Sequence, residues 1–269
     1  MADGDVDAKI TTTRAFPCNV FDGVDDYVEV PHDASQLGAN LSNGFTISAW
    51  INPRSLGESS GVILDKSTAI SAENGFYFKL NDSAGVVNRA RFRINVGTDA
   101  NTAVSGVLSS RWQHVIVTVS SGQLANFYIN GVLSGTADQD LVQTISTITT
   151  TNAPRIGNRS TATDRTFDGG IRSVKMWNRV LSTTEITEEY AGTNHTEGLI
   201  HNFKLGGDYT DYGSVGVTAT NSGSLPQIVD DAVATVIKDQ RTTATLSGTH
   251  FITKLGNSQI CSIAITETI

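Results

Sequence analysis

Strand-length runs of alternating or continuous apolar residues succeed one another along much of the chain: Tyr27–Val30, Phe45–Ile51, Gly61–Asp65, Gly75–Leu80, Arg89–Val96, His114–Ser120 and Ala125–Ile129. Turn residues follow nearly every run. A period of two sends successive side chains to opposite faces, so the pattern predicts short antiparallel strands with a buried face. In NFYINGVLSG, Asn126–Gly135, the pair Asn130–Gly131 suits a two-residue hairpin turn, because both central positions want positive φ. Further strands are expected at Arg155–Gly157 and Gly170–Trp177, while Leu141–Thr151 reads equally as an edge strand or a loop.

The helical period is convincing once, in LSTTEITEEYAG, Leu181–Gly192. Ser182 and Glu185 have capping-box spacing, Leu181 supplies a staple and Gly192 a stop. Glu185 is expected to cap this helix, with Glu188 and Glu189 extending its solvated face. From Gly198 the texture turns to Gly, Thr and Ser, which places a boundary near Gly192–Gly198.

Composition agrees with β structure: Thr, Ser, Val, Ile, Gly and Asn are plentiful and only 17% of residues are charged. A formal charge of −8, with no basic cluster longer than Arg89–Ala90–Arg91–Phe92–Arg93, argues against nucleic acid or an anionic membrane as partner. Alternation in that cluster puts its arginines on one strand face. The start, MADGDVDAKITTTR, has no apolar stretch of the secretory kind, and no run reaches the roughly 18 apolar residues of a membrane span. Cys18 and Cys261 are too few for a disulfide framework or a cysteine zinc site; two buried thiols are favoured over a pair.

Four blocks occur in one order: FDGVDDYVEVP (Phe21–Pro31), FTISAWINP (Phe45–Pro53), WQHVIVTVSSGQLANFYINGVLSG (Trp112–Gly135) and FDGGIRSVKMWNRVLSTTEI (Phe167–Ile186). Together they resemble the laminin-G-like, concanavalin-A-like jelly-roll superfamily. The fold expected is all-β: an antiparallel two-sheet jelly-roll sandwich with one short helix, plus a small β-rich C-terminal extension. The organisation expected is a polar arm over 1–15, the jelly roll over 16–192, and an extension or small accessory domain over 198–269. About 70 residues are too few for a second sandwich of about 100. Trp50, Trp112 and Trp177 are expected in the inter-sheet core or at its rim.

No catalytic constellation stands out. The E-x-D-x-x-E strand motif that glucanases of this superfamily carry is absent, and His32, His114, His195, His201 and His250 are scattered, without an H-x-x-x-H pair or a G-x-S-x-G elbow. His114, beside Trp112, reads as packed. Non-enzymatic binding is the default. Calcium has positive support, since it takes six to eight oxygen ligands from carboxylates, carbonyls and water. FDG occurs twice, at Phe21–Gly23 and Phe167–Gly169. The resemblance implies that their strands lie near each other and share a structural calcium ion through Asp22 and Asp168, with Asp25 joining; the competing reading is that both make Asx-type turns.

Two functions follow as expectations. The first is a virion structural or adhesion protein of phage type, a capsid decoration or fibre, with other virion or surface proteins as partners and homo-oligomers formed. The second is a calcium-assisted carbohydrate-binding, lectin-like module, secreted or on a cell surface, with glycans as partners. Neither inserts in a membrane. Loops at Gly57–Ser60, Ser67–Asn74, Asp82–Asn88 and Asn158–Thr166 are candidates to line a binding face.

Overall fold

The computed structural model describes residues 15–55, 60–68, 73–80, 89–103, 106–230, 250–253 and 260–263. The apolar runs form strands β1 (Ala15–Asp22), β2 (Tyr27–Glu29), β3 (Gly44–Pro53), β4 (Val62–Lys66), β5 (Phe76–Leu80), β6 (Ala90–Ile94), β7 (Ala100–Asn101), β8 (Gln113–Ser120), β9 (Leu124–Ile129) and β10 (Val132–Leu133). After them come β11 (Gln139–Asp140), β12 (Arg155–Ile156), β13 (Asp168–Trp177), helix α1 (Thr183–Ala191), β14 (Leu199–Phe203), β15 (Thr220–Ser222) and β16 (Leu225–Asp230). The chain divides into two compact units, Pro17–Gln227 and a second made of Met1–Phe16 with Ile228–Ile269. In the second, β17 (His250–Thr253) pairs antiparallel with β18 (Ile260–Ile263).

The first unit is a sandwich of two antiparallel sheets, as expected. The larger runs β10-β9-β8-β3-β13-β1, with β11 beside β9 and β14 beside β13; the other is seven-stranded, β15-β2-β12-β4-β5-β6-β7. Their inner faces interdigitate. Phe45 on β3 meets Phe76 and Phe92 of the opposite sheet at ring-centroid distances of 6.1 and 5.9 Å, and those two rings lie 5.8 Å apart. All three are buried. A bulge in β13, where Arg172 faces Trp50 but Lys175 faces Ser48, absorbs Ser173 at φ 53 and lets β13 serve β1 with one half and β14 with the other.

Local chemistry explains the turns. Asn130 and Gly131 have φ of 52 and 80, and Val132 pairs with Ile129, so the predicted hairpin is present. Ser182 accepts from the Glu185 N–H, Glu185 reaches back to the Ser182 N–H, and Gly192 ends α1 at φ 100. Leu141–Thr151 is mainly loop around a short 3-10 turn, Ile145–Thr147.

Several expectations change. A strand, β1, precedes the first predicted one; Phe21 and Cys18 on it are fully buried. The segment after Gly198 is not separate, because β14 pairs with β13 and β15 with β2; the compact unit runs on to Gln227. The expected 1–15 arm lies outside the described residues except for Ala15. Cys18 is a free thiol, pushed up to about 11 by burial; the Cys261 side chain lies outside the described residues. Trp177 is buried, but in a second small core where Leu181 and Ile186 meet Ile116, Tyr128 and Leu199 on the outer face of the larger sheet. Trp50 is on that outer face too, stacked on His114 at 5.1 Å and Tyr190 at 5.8 Å, with the Arg172 guanidinium 4.9 Å from it and 4.5 Å from Trp112. Alternation accounts for this: Ile47, Ala49 and Ile51 take the inner face of β3, so Trp50 must point out. Glu189 is not solvated; its side chain is buried and bonds Lys175 Nζ at 2.6 Å, because the same helix face covers β13.

Lys66, at the end of β4, is fully buried. Its Nζ donates to the Asn152 carbonyl at 2.8 Å and lies 3.0 Å from His32 Nδ1. Burial pulls its pKa down to about 8 from 10.5. The unfolded chain holds that proton more tightly, so this group makes stability rise with pH between about 8 and 10.5. Urea unfolding of the protein and of Lys66→Met across that window checks it: the parent should gain stability relative to the variant as pH rises, and a constant difference would contradict the assignment.

Candidate functional site

The seven-stranded sheet carries two adjacent rows of opposite character. Val28, Ile156, Leu64, Phe78, Phe92 and Ala100 are cross-strand partners in succession and all belong to the core. One residue along each strand, Glu29 pairs with Arg155, Arg155 with Asp65, Asp65 with Tyr77 and Tyr77 with Arg93. Asp99, the residue before β7, continues this row opposite Arg93. Because strand side chains alternate, the second row faces away from the core.

The row is wired internally. Arg155 Nε donates to Glu29 Oε2 at 3.0 Å, and its guanidinium lies 3.8 Å from the Tyr27 ring. Arg93 makes a two-pronged pair with Asp99, both bonds 2.8 Å, and Arg91 Nη1 reaches the same carboxylate at 3.2 Å. The Tyr77 hydroxyl donates to Asp99 Oδ1 at 2.6 Å. Burial, then that carboxylate, pushes the Tyr77 phenol up. Asp65 is buried and accepts from Ser67 Oγ at 2.9 Å and the Ser160 N–H at 3.1 Å; burial pushes its carboxyl up against those bonds. At the β7 end, Asn101 and Gln139 exchange two bonds, Asn101 N–H to Gln139 Oε1 at 2.9 Å and Gln139 Nε2 to the Asn101 carbonyl at 2.8 Å. Side-chain exposures of 41% at Glu29, 24% at Arg93 and 17% at Asp99 leave the two ends of this polar row in reach of solvent, while Asp65 and Tyr77 between them are buried.

The outer face of the larger sheet differs. Helix α1 and the Trp50–His114–Tyr190 stack cover it, and burial with nearby Lys175 and Arg172 pulls the His114 imidazole down to about 3. His114 is therefore a neutral packing residue, as its sequence context indicates.

The aspartates of the first FDG block sit at the corner where the chain leaves β1 for β2. Asp22 and Asp168 are direct cross-strand partners, so the two FDG strands do lie side by side. Their carboxylates have separate duties: Asp22 Oδ1 accepts the Val24 N–H at 2.8 Å, an Asx turn, while Asp168 Oδ1 receives Arg54 Nε at 2.8 Å. Asp26 accepts the Asp22 N–H at 2.9 Å through Oδ2, and burial pushes its pKa up. Asp22, Asp25 and Asp26 each offer an oxygen within 4.8 Å of the others. The metal-like grouping thus contains Asp26, which was not among the expected ligands, and leaves Asp168 with Arg54. Three carboxylates, two of them exposed, suit a hard cation that completes its shell with water.

A family model described as the concanavalin A-like lectin/glucanases superfamily matches residues 22–187. The chain belongs to this superfamily. No curated protein sequence matches the chain. Among solved structures, this concanavalin A-like chain is similar to a candidate carbohydrate-binding protein from Bacteroides ovatus, with 18% identity, 81% of this chain and 61% of that chain covered, and a TM-score of 0.61. It therefore spans under two thirds of that protein. It is also similar to a heptameric SAP-like pentraxin from Limulus polyphemus, with 14% identity, 80% and 96% coverage, and a TM-score of 0.55. At these identities the likeness establishes the fold. Among the described residues, no helix of the concanavalin A-like chain is long and apolar enough to cross a membrane.

Of the loops expected to line a site, 56–59, 69–72 and 81–88 lie outside the described residues. Asn158–Thr166 is described: buried Asn158 donates to Thr166 Oγ1 at 2.6 Å, and Arg159 pairs with Asp164 at 3.1 Å. Sequence reasoning placed the β6 arginines on one face but missed the row. Its signal was the alternation in YVE, FYFKL and ARFRI; the register joining them was invisible.

Proposed function

We propose that the chain is a non-enzymatic carbohydrate-binding module, secreted or cell-surface, that takes glycans on the outer face of its seven-stranded sheet. The observation that carries this reading is the polar row from Glu29 to Asp99. A guanidinium held against a carboxylate presents a donor and an acceptor side by side, the complement of neighbouring sugar hydroxyls. Because the pairs are already formed, little side-chain freedom is lost on binding. Membership of a superfamily that includes lectins supports the reading, as does the similarity to the Bacteroides ovatus protein. The carboxylates argue for binding over hydrolysis: Glu29 is committed to Arg155, Asp99 to Tyr77 and two arginines, and Asp65 to Ser67 and Ser160. A glycosidase needs one of its pair kept as an available acid and the other as nucleophile or base. No observation favours the virion role.

Calcium belongs to this reading at the corner beside β2, with Asp22, Asp25 and Asp26 as its carboxylate ligands. There it would brace the entry to the polar row. Asp168 stays with Arg54.

A glycan array probed with the intact protein tests the function: binding to a defined set of glycans is expected, with at least a ten-fold weaker signal for Arg155→Gln at unchanged melting temperature. A blank array would overturn the reading, and full binding by the variant would remove it from this face. Calcium is tested separately. Millimolar calcium should raise the melting temperature above its value in EDTA, and Asp25→Ala should abolish the increment; no shift in the parent would reduce the corner to a hydrogen-bonded turn.

A further inference from the structure

The segment between β2 and β3 is tied to both sheets through histidine rings. It passes through a short 3-10 turn, Ala34–Gln36, which Asp33 caps: Asp33 Oδ1 accepts the Ser35 N–H at 2.8 Å, and Gln36 Oε1 accepts the Asp33 N–H at 3.3 Å. Gln36 is buried and both ends of its amide are committed, because Nε2 donates to the Pro31 carbonyl at 3.2 Å. That orientation points Nε2 at His201 Nε2, 2.9 Å away on β14. His201 is buried too; its Nδ1 lies 2.7 Å from Asp211 Oδ2, while Asp211 Oδ1 accepts the N–H groups of Asn202 and Gly213. The ring therefore gives its Nδ1 proton to Asp211 and accepts at Nε2. On the side of the smaller sheet, Lys66 Nζ lies 3.0 Å from His32 Nδ1. An ammonium can only donate, so His32 accepts at Nδ1 and carries its own proton on Nε2.

Both rings accept only while neutral. A second proton on His32 sets N–H against the Lys66 ammonium, and one on His201 sets N–H against the Gln36 amide, whose rotation would break the Pro31 and Asp33 bonds together. The carboxylates facing these rings do not take the new protons: Asp211 sits on the nitrogen already protonated, and Asp33 caps Ser35. Burial, then the Lys66 charge, pull the His32 pKa below the usual 6.5, against Gln36 and Asp33. The unfolded chain takes this proton first, so the contribution of His32 to stability is present above about 6.5 and is lost as pH falls below it.

We propose that this segment is an acid-opened latch: neutral histidines hold it shut, and their protonation frees it and weakens ligand binding at the Glu29 end of the polar row. The coupling follows from position. Lys66 Nζ also holds the Asn152 carbonyl at 2.8 Å, and the Val30 N–H bonds the Pro154 carbonyl at 2.8 Å, so the latch joins the chain leaving β2 to the chain entering β12. Those two strands carry Glu29 and Arg155, whose ion pair begins the row. A cavity lined by Val30, Phe76, Pro154 and Phe203 adjoins Lys66, Gln36 and His201, so close packing does not hold the segment once its polar ties fail. The effect on ligand rests on the carbohydrate-binding reading; the opening does not.

Solution NMR of the intact protein, titrated from pH 7.5 to 5.0 in EDTA to keep calcium release out of the titration, tests the latch. At pH 7.5 the imidazole nitrogens should report opposite tautomers, Nε2–H for His32 and Nδ1–H for His201. Toward pH 5.0 the amides of Asp33, Ser35, Gln36 and Leu37 should lose protection from exchange at least ten-fold, in step with the His32 ring, while β3 and β8 keep theirs. His32→Asn, whose Oδ1 accepts from Lys66 without titrating, should retain most of the protection. A His32 proton on Nδ1 at pH 7.5, unchanged amides in the parent, or the same loss in a folded His32→Asn overturns the latch; the first two readouts need no variant. Affinity for a glycan that binds on the array should fall at least five-fold from pH 7.5 to 5.5 in the parent, and less in His32→Asn. Unchanged affinity above an opening segment overturns the coupling to the row. A blank array removes the carbohydrate reading and with it the coupling, while the opening is decided by the NMR alone.

Discussion

Register in the seven-stranded sheet is the constraint on which the rest depends. Six strands align so that Val28, Ile156, Leu64, Phe78, Phe92 and Ala100 form one apolar row, and their next neighbours form one polar row. A slip of one residue in any strand would exchange the two faces, driving Arg155, Asp65 or Arg93 into the core and exposing a buried phenylalanine, isoleucine or leucine. The cost of burying an unmatched charge far exceeds that of any single contact on the surface. The core therefore determines the surface: packing Phe78 and Phe92 inward obliges Tyr77 and Arg93 to project outward beside each other.

The two outer faces of the sandwich have been put to different uses. On the larger sheet the capped helix, the Lys175–Glu189 ion pair and the stacked Trp50, His114 and Tyr190 close the surface into a second packed layer. The opposite face keeps charged pairs within reach of water, and its cations concentrate toward β6. A ligand surface built on central strands is rigid, which favours recognition of sugars, whose hydroxyls offer direction but little apolar area.

Much of the fold was legible because it rests on short-range rules. Alternation located the strands, Asn130–Gly131 the hairpin, and Ser182, Glu185 and Gly192 the helix ends. What stayed hidden depends on long-range pairing. β1 was missed because CNVFD packs against β13 rather than displaying a simple alternation, and the segment holding β14 read equally as an extension or an accessory domain because Gly- and Thr-rich texture resembles a linker until β13 supplies its partner. The same limit governed the site. Three aspartates close in sequence drew notice, and the FDG repeat correctly brought Asp22 beside Asp168, but Arg54, distant in sequence, claims Asp168. The row from Glu29 to Asp99 draws single residues from five strands and the residue before a sixth, so no local window contains it.

The central claim is that this row is where ligand lands. Amide hydrogen exchange read by mass spectrometry, on the intact protein with and without a saturating concentration of a glycan that binds on the array, tests it directly. Added protection should appear in peptides covering Phe76–Leu80 and Ala90–Ile94, with the α1 peptides unchanged. Protection confined to α1 and the Trp50 face, or none on the seven-stranded sheet despite saturation, would contradict the account.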